Sequence, residues 1–259
     1  MNAFIVVYQH SFRSDKLKQR TLYQNQGNKL VEKYLKAFSD DDSYLDWADD
    51  PSFFCAQEML GDIRQASWGV CRRDVRKQLH PGDLVVFFCG KQNLQELKEW
   101  KYYFVGFGTV KEALSREEIW QNDKFSRYRD FYNILARPQN GQLIQHEIIG
   151  KGHIDWKCRL TAPYIIFDSD PKSTHFYLED PLEVAVKKPN KKLEDWNYYD
   201  PKVKELRNIL FDQFGIKRNL RTNNIQRAHR HIAIHKTEPI DKTADLIAHL
   251  PYQLYKFAE

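Results

Sequence analysis

"ASWGVCRRDVRKQLHPGDLVVFFCG" (residues 66–90) is the stretch whose reading decides the fold. It sets Trp68 beside Gly69, then a basic knot of Cys71, Arg72 and Arg73, then a turn, then an apolar run. "RDVRKQL" predicts one or two helical turns. "HPGD" is turn chemistry: proline presets φ at the first corner and glycine relieves the steric demand at the second. "LVVFFCG" is short, apolar and rich in β-branched and aromatic residues, which predicts a buried strand ending at Gly90.

The neighbouring segments extend this pattern. "AFIVVY" (3–8) predicts a first buried strand, and "KYYFVGFGTVKEA" (101–113) predicts another, whose glycines point to close backbone approach or strong curvature. "DFYNILA" (130–136), "GQLIQHEII" (141–149) and "APYIIFD" (162–168) are expected to be further strands. Pro163 marks a strand start or an edge. Helices are expected in "NKLVEKYLKAF" (28–38) and "SFFCAQEMLGDI" (52–63), from the helical spacing of their apolar residues. "SREEIW" carries a capping box, with Ser115 as cap and Glu118 completing it. Residues 171–200 are polar, with several prolines and lysines, and are expected to be irregular. A helix then begins with Asp200 as N-cap and Pro201 at the first helical position, with Val203, Leu206, Leu210 and Phe214 on one face. "RAHRHIAIH" (227–235) predicts a late strand, and "KTADLIAHLPYQLYKF" (242–257) a helical pair or a helix kinked at Pro251. Many short strands with helices after the first strand and near the end define an α+β protein built on a small, curved sheet or barrel.

Composition narrows the function classes. Hydrophobic residues make up 42% of the 259, enough for a packed core. No apolar run approaches the roughly 18–20 residues of a membrane-spanning helix. The N-terminus reads as a strand and not as a signal peptide. Cys55, Cys71, Cys89 and Cys158 are dispersed without CxxC spacing, so neither a disulfide framework nor a cysteine zinc site is expected, and a reducing cytoplasm is the expected setting. The formal net charge is +5. The acidic residues Asp40, Asp41, Asp42, Asp46, Asp49 and Asp50 concentrate in one polar loop. Consecutive aspartates there do not supply the converging carboxylates that a metal nuclease needs. Residues 201–236 carry Arg218, Arg221, Arg227 and Arg230 among nine cations against Glu205 and Asp212 only, a segment suited to phosphate contacts. His229, His231 and His235 alternate onto one face of a strand. H-x-H can bind zinc, but Arg230 and the lack of a neighbouring acid favour a basic, hydrogen-bonding face. No metal, no cofactor and no catalytic set is therefore expected.

Three pieces in this order, "FIVVYQHSF", "WGVCRRDVRKQLHPGDLVVFFCG" and "YYFVGFGTVKEAL", resemble the PUA-like superfamily, specifically its EVE/YTH-type branch. The resemblance covers roughly residues 1–168. It implies a PUA-like barrel over 1–170 with a helical insertion at 13–66, followed by a basic C-terminal extension at 171–259. It further implies a nucleic-acid-binding module that holds a modified, flipped or unpaired base, in a prokaryotic defence or modification system, with a nuclease or effector as a further partner. The base pocket implied by the resemblance comprises Tyr8, His10, Ser11 and Phe12 at the end of the first strand, Trp68, Val70, Cys71 and Arg72 at the corner, and Phe88 and Cys89 at the end of "LVVFFCG". Trp68 either walls that pocket or closes one end of the core; its size and amphipathic ring suit both. Cys71 occupies the slot where YTH-type readers carry an aromatic cage residue, which argues against a full aromatic cage here. Arg73, with Arg218, Arg221, Arg227 and Arg230, is expected on the phosphate backbone. A looser likeness to ASCH-type barrels implies instead a small hydrolase of modified nucleosides using Thr109, Lys111 and Glu112, of which the last two point to opposite faces of a strand.

Overall fold

The computed structural model describes residues 3–10, 61–70, 72–92, 100–145, 156–176, 182–187, 199–212, 229–232 and 251–257. The helices expected at 28–38 and in most of 52–63 lie outside these. The chain divides into two compact units, each assembled from separated stretches: Met1–Ser11, His80–Val110 and Asp168–Glu259 form one, and Phe12–Leu79 with Lys111–Phe167 form the other. Both helix and strand are present, as the α+β reading requires. No described helix is long and apolar enough to cross a membrane.

The first unit is a sheet. Strand β1 (Ala3–His10) lies parallel to β3 (Leu84–Gln92), and β3 is antiparallel to β4 (Trp100–Leu114). The outer edge of β1 takes β10 (His229–Ile232), the expected late strand. The other edge of β4 takes two strands in turn, β9 (Leu182–Lys187) and β8 (Thr174–Phe176). These two overturn the irregular structure expected between 171 and 200. Their pairing with β4 is long-range and leaves little trace in a segment rich in lysine and proline.

Register shifts interrupt the β3–β4 ladder at Phe87/Phe88 and the β4–β9 ladder at Tyr102/Tyr103. Such irregularities bend a strand and increase its twist. Gly106 sits beside them with φ 145, and a Cβ there would stand 2.7 Å from the Phe176 Cα. The glycine therefore permits β8 to approach. The "HPGD" turn closes as predicted: Gly82 has φ 89, and the His80 amide donates to Asp83 Oδ2 at 2.9 Å. The Val110 amide donates to the Asp83 carbonyl at 2.8 Å, tying the turn to β4.

β3 is buried on both faces, which explains why it reads as a continuous apolar run rather than an alternating one. Leu84, Val86 and Phe88 face one way, into a core with Ile5, Phe104 and Val184. Val85, Phe87 and Cys89 alternate to the other face and are fully buried too. Helix α4 (Pro201–Arg207) closes the first core through Val203 and Leu206, and Asp200 caps it by accepting from the amides of Lys202 and Val203. The α-helix ends sooner than its apolar spacing predicts, passing into a π-type turn at Asn208–Asp212 that still buries Leu210. Residues 251–257 are helical and place Leu254 in the same core, with the Phe257 ring 6.1 Å from that of Phe104.

The second unit pairs β2 (Ser67–Trp68) with β7 (Tyr164–Phe167). Its remaining described strands form a hairpin, β5 (Ala136–Gln139) and β6 (Gln142–Gln145). The hairpin turn is Asn140–Gly141, both at positive φ (51 and 75), as a two-residue type I′ turn requires. The strand expected at 130–136 is thus corrected: Tyr132–Ile134 is a 3₁₀ turn, and the strand starts at Ala136. Its described α-helices are short: α1 (Arg73–Arg76), α2 (Arg116–Gln121) and α3 (Trp156–Leu160). The α2 capping box forms as expected, Ser115 Oγ accepting from the Glu118 amide at 3.1 Å and Glu118 Oε2 from the Ser115 amide at 2.6 Å.

Candidate functional site

The described residues of the corner, 66–70 and 72–73, run from β2 into α1, and their geometry is imposed from within. Gly69 lies where no side chain fits: a Cβ would clash with the Asn133 carbonyl oxygen and stand 2.7 Å from the Tyr164 ring. Arg72 adopts the left-handed conformation (φ 51, ψ 47) that turns the chain into α1. The Gly69 and Val70 carbonyls point inward onto two arginines. Arg116 donates from Nη2 to the Gly69 carbonyl at 2.6 Å, from Nη1 to Ala162 at 3.0 Å and from Nε to Ile134 at 3.1 Å. Arg76 donates to the carbonyls of Val70, Arg159 and Ala162, each at 3.2 Å, and to that of Pro163.

Both guanidinium groups are buried. Burial first, and then the neighbouring Arg76 charge, pull the Arg116 pKa down to about 9, so it still carries its charge at neutral pH. No described carboxylate forms an ion pair with Arg116. Its charge is solvated by three carbonyl dipoles and by the face of Tyr164, 5.1 Å from the ring centroid. Each donor thus ties a different piece of backbone to the same point.

Below the corner lies a closed ring of hydrogen bonds. Ser67 Oγ and Tyr164 Oη are 2.6 Å apart. Tyr164 donates to Asn133 Oδ1 at 2.7 Å, and Asn133 Nδ2 donates back to the Ser67 carbonyl at 2.8 Å and to its Oγ at 3.2 Å. With the phenol proton on Asn133, the serine hydroxyl donates to tyrosine and every proton in the ring is used. Tyr164→Phe is expected to cost about 1–3 kcal/mol, because Asn133 Oδ1 loses its donor where no water replaces it. Urea unfolding checks this, and a midpoint equal to that of the wild type would show the ring to be dispensable.

The outer side of the corner is basic. Arg72 is half-buried and Arg73 exposed. Arg73 Nη1 reaches across to α3, donating to the Cys158 carbonyl at 3.3 Å and contacting its Sγ. Arg159 reaches the opposite way, Nη1 donating to the Val70 carbonyl at 3.3 Å. Lys157 is exposed, its Nζ 5.7 Å from the Trp156 ring centroid, and Trp156 is half-buried. Sequence reasoning finds Arg72 and Arg73 but misses Trp156, Lys157 and Arg159, because the hydrogen bonds that bring α3 to the corner join residues 85 and 89 positions apart.

The expected pocket residues separate into groups. Trp68 and Val70 are each 1% exposed, so the described residues of the corner present Arg72 and Arg73 to the surface, and not the indole. Phe88 is 3% exposed and packs in the core, its ring 5.6 Å from that of Phe104. Tyr8 pairs in register with Cys89, and His10 with Lys91. Cys89 is fully buried. Across from it stands Tyr103, hydrogen-bonded to Glu183, which also pairs with Lys101 at 2.9 Å. Burial, the Glu183 carboxylate and Cys89 hold the Tyr103 phenol above its ordinary range, so it acts as a neutral donor at working pH. Ser11, Phe12, Cys71, Arg218, Arg221 and Arg227 lie outside the described residues. Arg230 lies in β10, in register with Ile5.

The residues of the hydrolase reading are engaged separately. The Thr109 hydroxyl donates to the Ser173 carbonyl at 2.9 Å, and Glu112 pairs with Lys124 at 2.9 Å. His229 and His231 occupy β10 in register with Val6 and Phe4. Among the described residues no group of three or more His, Cys, Asp or Glu is placed to hold a metal. Comparison of the chain with protein-family models, with curated proteins and with solved structures gives no match.

Proposed function

We propose that this protein is a nucleic-acid-binding module, a PUA-like barrel of EVE type that recognises a modified, flipped or unpaired base in a prokaryotic defence or modification system. The observation that carries the reading is the corner itself. The Gly69 and Val70 carbonyls are turned onto buried arginines, so the backbone at Gly69 and Val70 is held without a ligand. Recognition of an extruded base rewards such rigidity. Taking a base out of the stack costs a few kcal/mol, which the pocket must return through stacking and hydrogen bonds. A site fixed in advance returns more of it because less ordering cost is subtracted on binding. With Trp68 and Phe88 enclosed, the reading falls on the edge of the corner, where Arg72 meets a base edge or the adjoining phosphate.

The test is a binding panel of matched oligonucleotides, DNA and RNA, with and without base modifications. The wild type is expected to favour one modified oligonucleotide by about tenfold or more, which corresponds to one good hydrogen-bonded contact. Arg72→Ala is expected to remove most of that preference. Equal, weak binding across the panel overturns the proposal.

A further inference from the structure

We infer that α3, together with Arg73, grips the single-stranded polynucleotide that flanks the base held at the corner. The inference rests on the reading above and gives it a second point of attachment that is independent of sequence. The first observation is charge that lacks its usual partner. Some surface cations are neutralised locally: Arg64 by Asp62 at 2.8 Å, Lys124 by Glu112 at 2.9 Å and Arg129 by Asp123 at 3.0 Å. Arg73 and Lys157 are exposed and form no ion pair with any described carboxylate. Arg73 spends one nitrogen on Cys158 and keeps its other N–H groups for a ligand.

The second observation is position. The Arg73–Cys158 and Arg159–Val70 hydrogen bonds cross in opposite directions, holding α3, which carries Lys157, beside Arg73. The acids nearest to them in sequence are Asp74, exposed on α1, and Asp155. The third is an aromatic ring within the patch, the half-buried Trp156 beneath Lys157. Cations interleaved with an aromatic face suit an unpaired strand, which offers both phosphates and free base faces; a duplex hides the faces. The patch therefore commits to single-stranded DNA or RNA without a base preference of its own.

The experiment uses the full chain and an unmodified oligothymidylate of about 15 nucleotides, titrated over a range of salt concentrations, with a blunt duplex of equal length and inorganic polyphosphate as further arms. For a single strand, every phosphate that a cation neutralises adds about 0.7 to the slope of log affinity against log salt, through the counterion it releases. Arg73→Gln/Lys157→Gln removes two such cations and is expected to flatten the slope by about 1.4. Trp156→Ala is expected to weaken binding about tenfold with the slope kept, since stacking releases no counterions. Both variants are expected to leave unchanged the ratio of affinities for modified and unmodified oligonucleotides, and circular dichroism melting checks that they fold. A wild-type slope in the double variant overturns the inference, as does a duplex or polyphosphate bound as tightly as the single strand. If the slope flattens while the wild type shows no preference for any modification, the grip stands and the base reading falls. If the wild type binds no oligonucleotide, both fall.

Discussion

Arg116→Met is expected to destabilise the second unit by about 3 kcal/mol or more. The substitution keeps most of the side-chain length and removes the charge. Two effects compete. Relief of the repulsion from Arg76 favours the variant, since removing a buried charge in favour of a hydrophobe is often neutral. Against this, the Gly69 and Ile134 carbonyls lose their donor in a place closed to water. Hydrogen bonds to charged groups contribute about 1.5–3 kcal/mol each, and two orphaned carbonyls outweigh the relief. Arg116→Lys keeps the charge but not the planar fork, and is expected to lose roughly half as much. Equilibrium urea unfolding measures both. A methionine variant as stable as the wild type would mean that the carbonyls find other donors, and the corner would then not depend on Arg116.

The second large effect is expected from Gly69→Ala. The added methyl group meets the Asn133 backbone carbonyl, the Tyr164 ring at 2.7 Å and Arg116 Nη2 at 2.9 Å. None of the three can retreat easily: one is main chain, one belongs to the hydrogen-bonded ring and one is held by three carbonyls. Overpacking of this kind costs about 3 kcal/mol at the upper end of its usual range. Gly82→Ala is the control. Its φ of 89 is unfavourable for alanine, but nothing lies within 4 Å of the new Cβ. Conformational strain alone predicts about 1–2 kcal/mol there. If thermal and urea unfolding give equal losses at the two sites, the close packing at Gly69 is not what fixes the corner.

Local chemistry makes much of this architecture legible in the sequence. Asp200–Pro201, Ser115 with Glu118 and "HPGD" each announce themselves within four residues, because caps and turns are made by neighbours along the chain. β3 and β4 are evident from their apolar runs. Strands β8 and β9 are not, because what makes them strands is the free edge of β4. The hairpin at Asn140–Gly141 carries a readable signal, the Asn-Gly pair, yet "DFYNILA" draws the preceding strand too early because it is equally apolar. Within the candidate site, Arg72 and Arg73 stand out as a basic knot. Arg116 does not: at the first position of a short helix it looks like any solvated arginine, and only the packing of Gly69, Ile134 and Ala162 around it reveals its role. Trp156 and Lys157 are hidden for the same reason.

The two inward-pointing arginines also set an order of events during synthesis. Arg116 bonds carbonyls 46 and 47 residues away, and Arg76 bonds the Ala162 carbonyl 86 residues downstream. Pairings so distant in sequence raise the contact order and slow the search for the native state. On the ribosome the corner therefore emerges long before the segment that locks it, and it takes its final shape only after Pro163 has left the exit tunnel. A chain cut short before that point would hold every residue of the corner and lack its geometry.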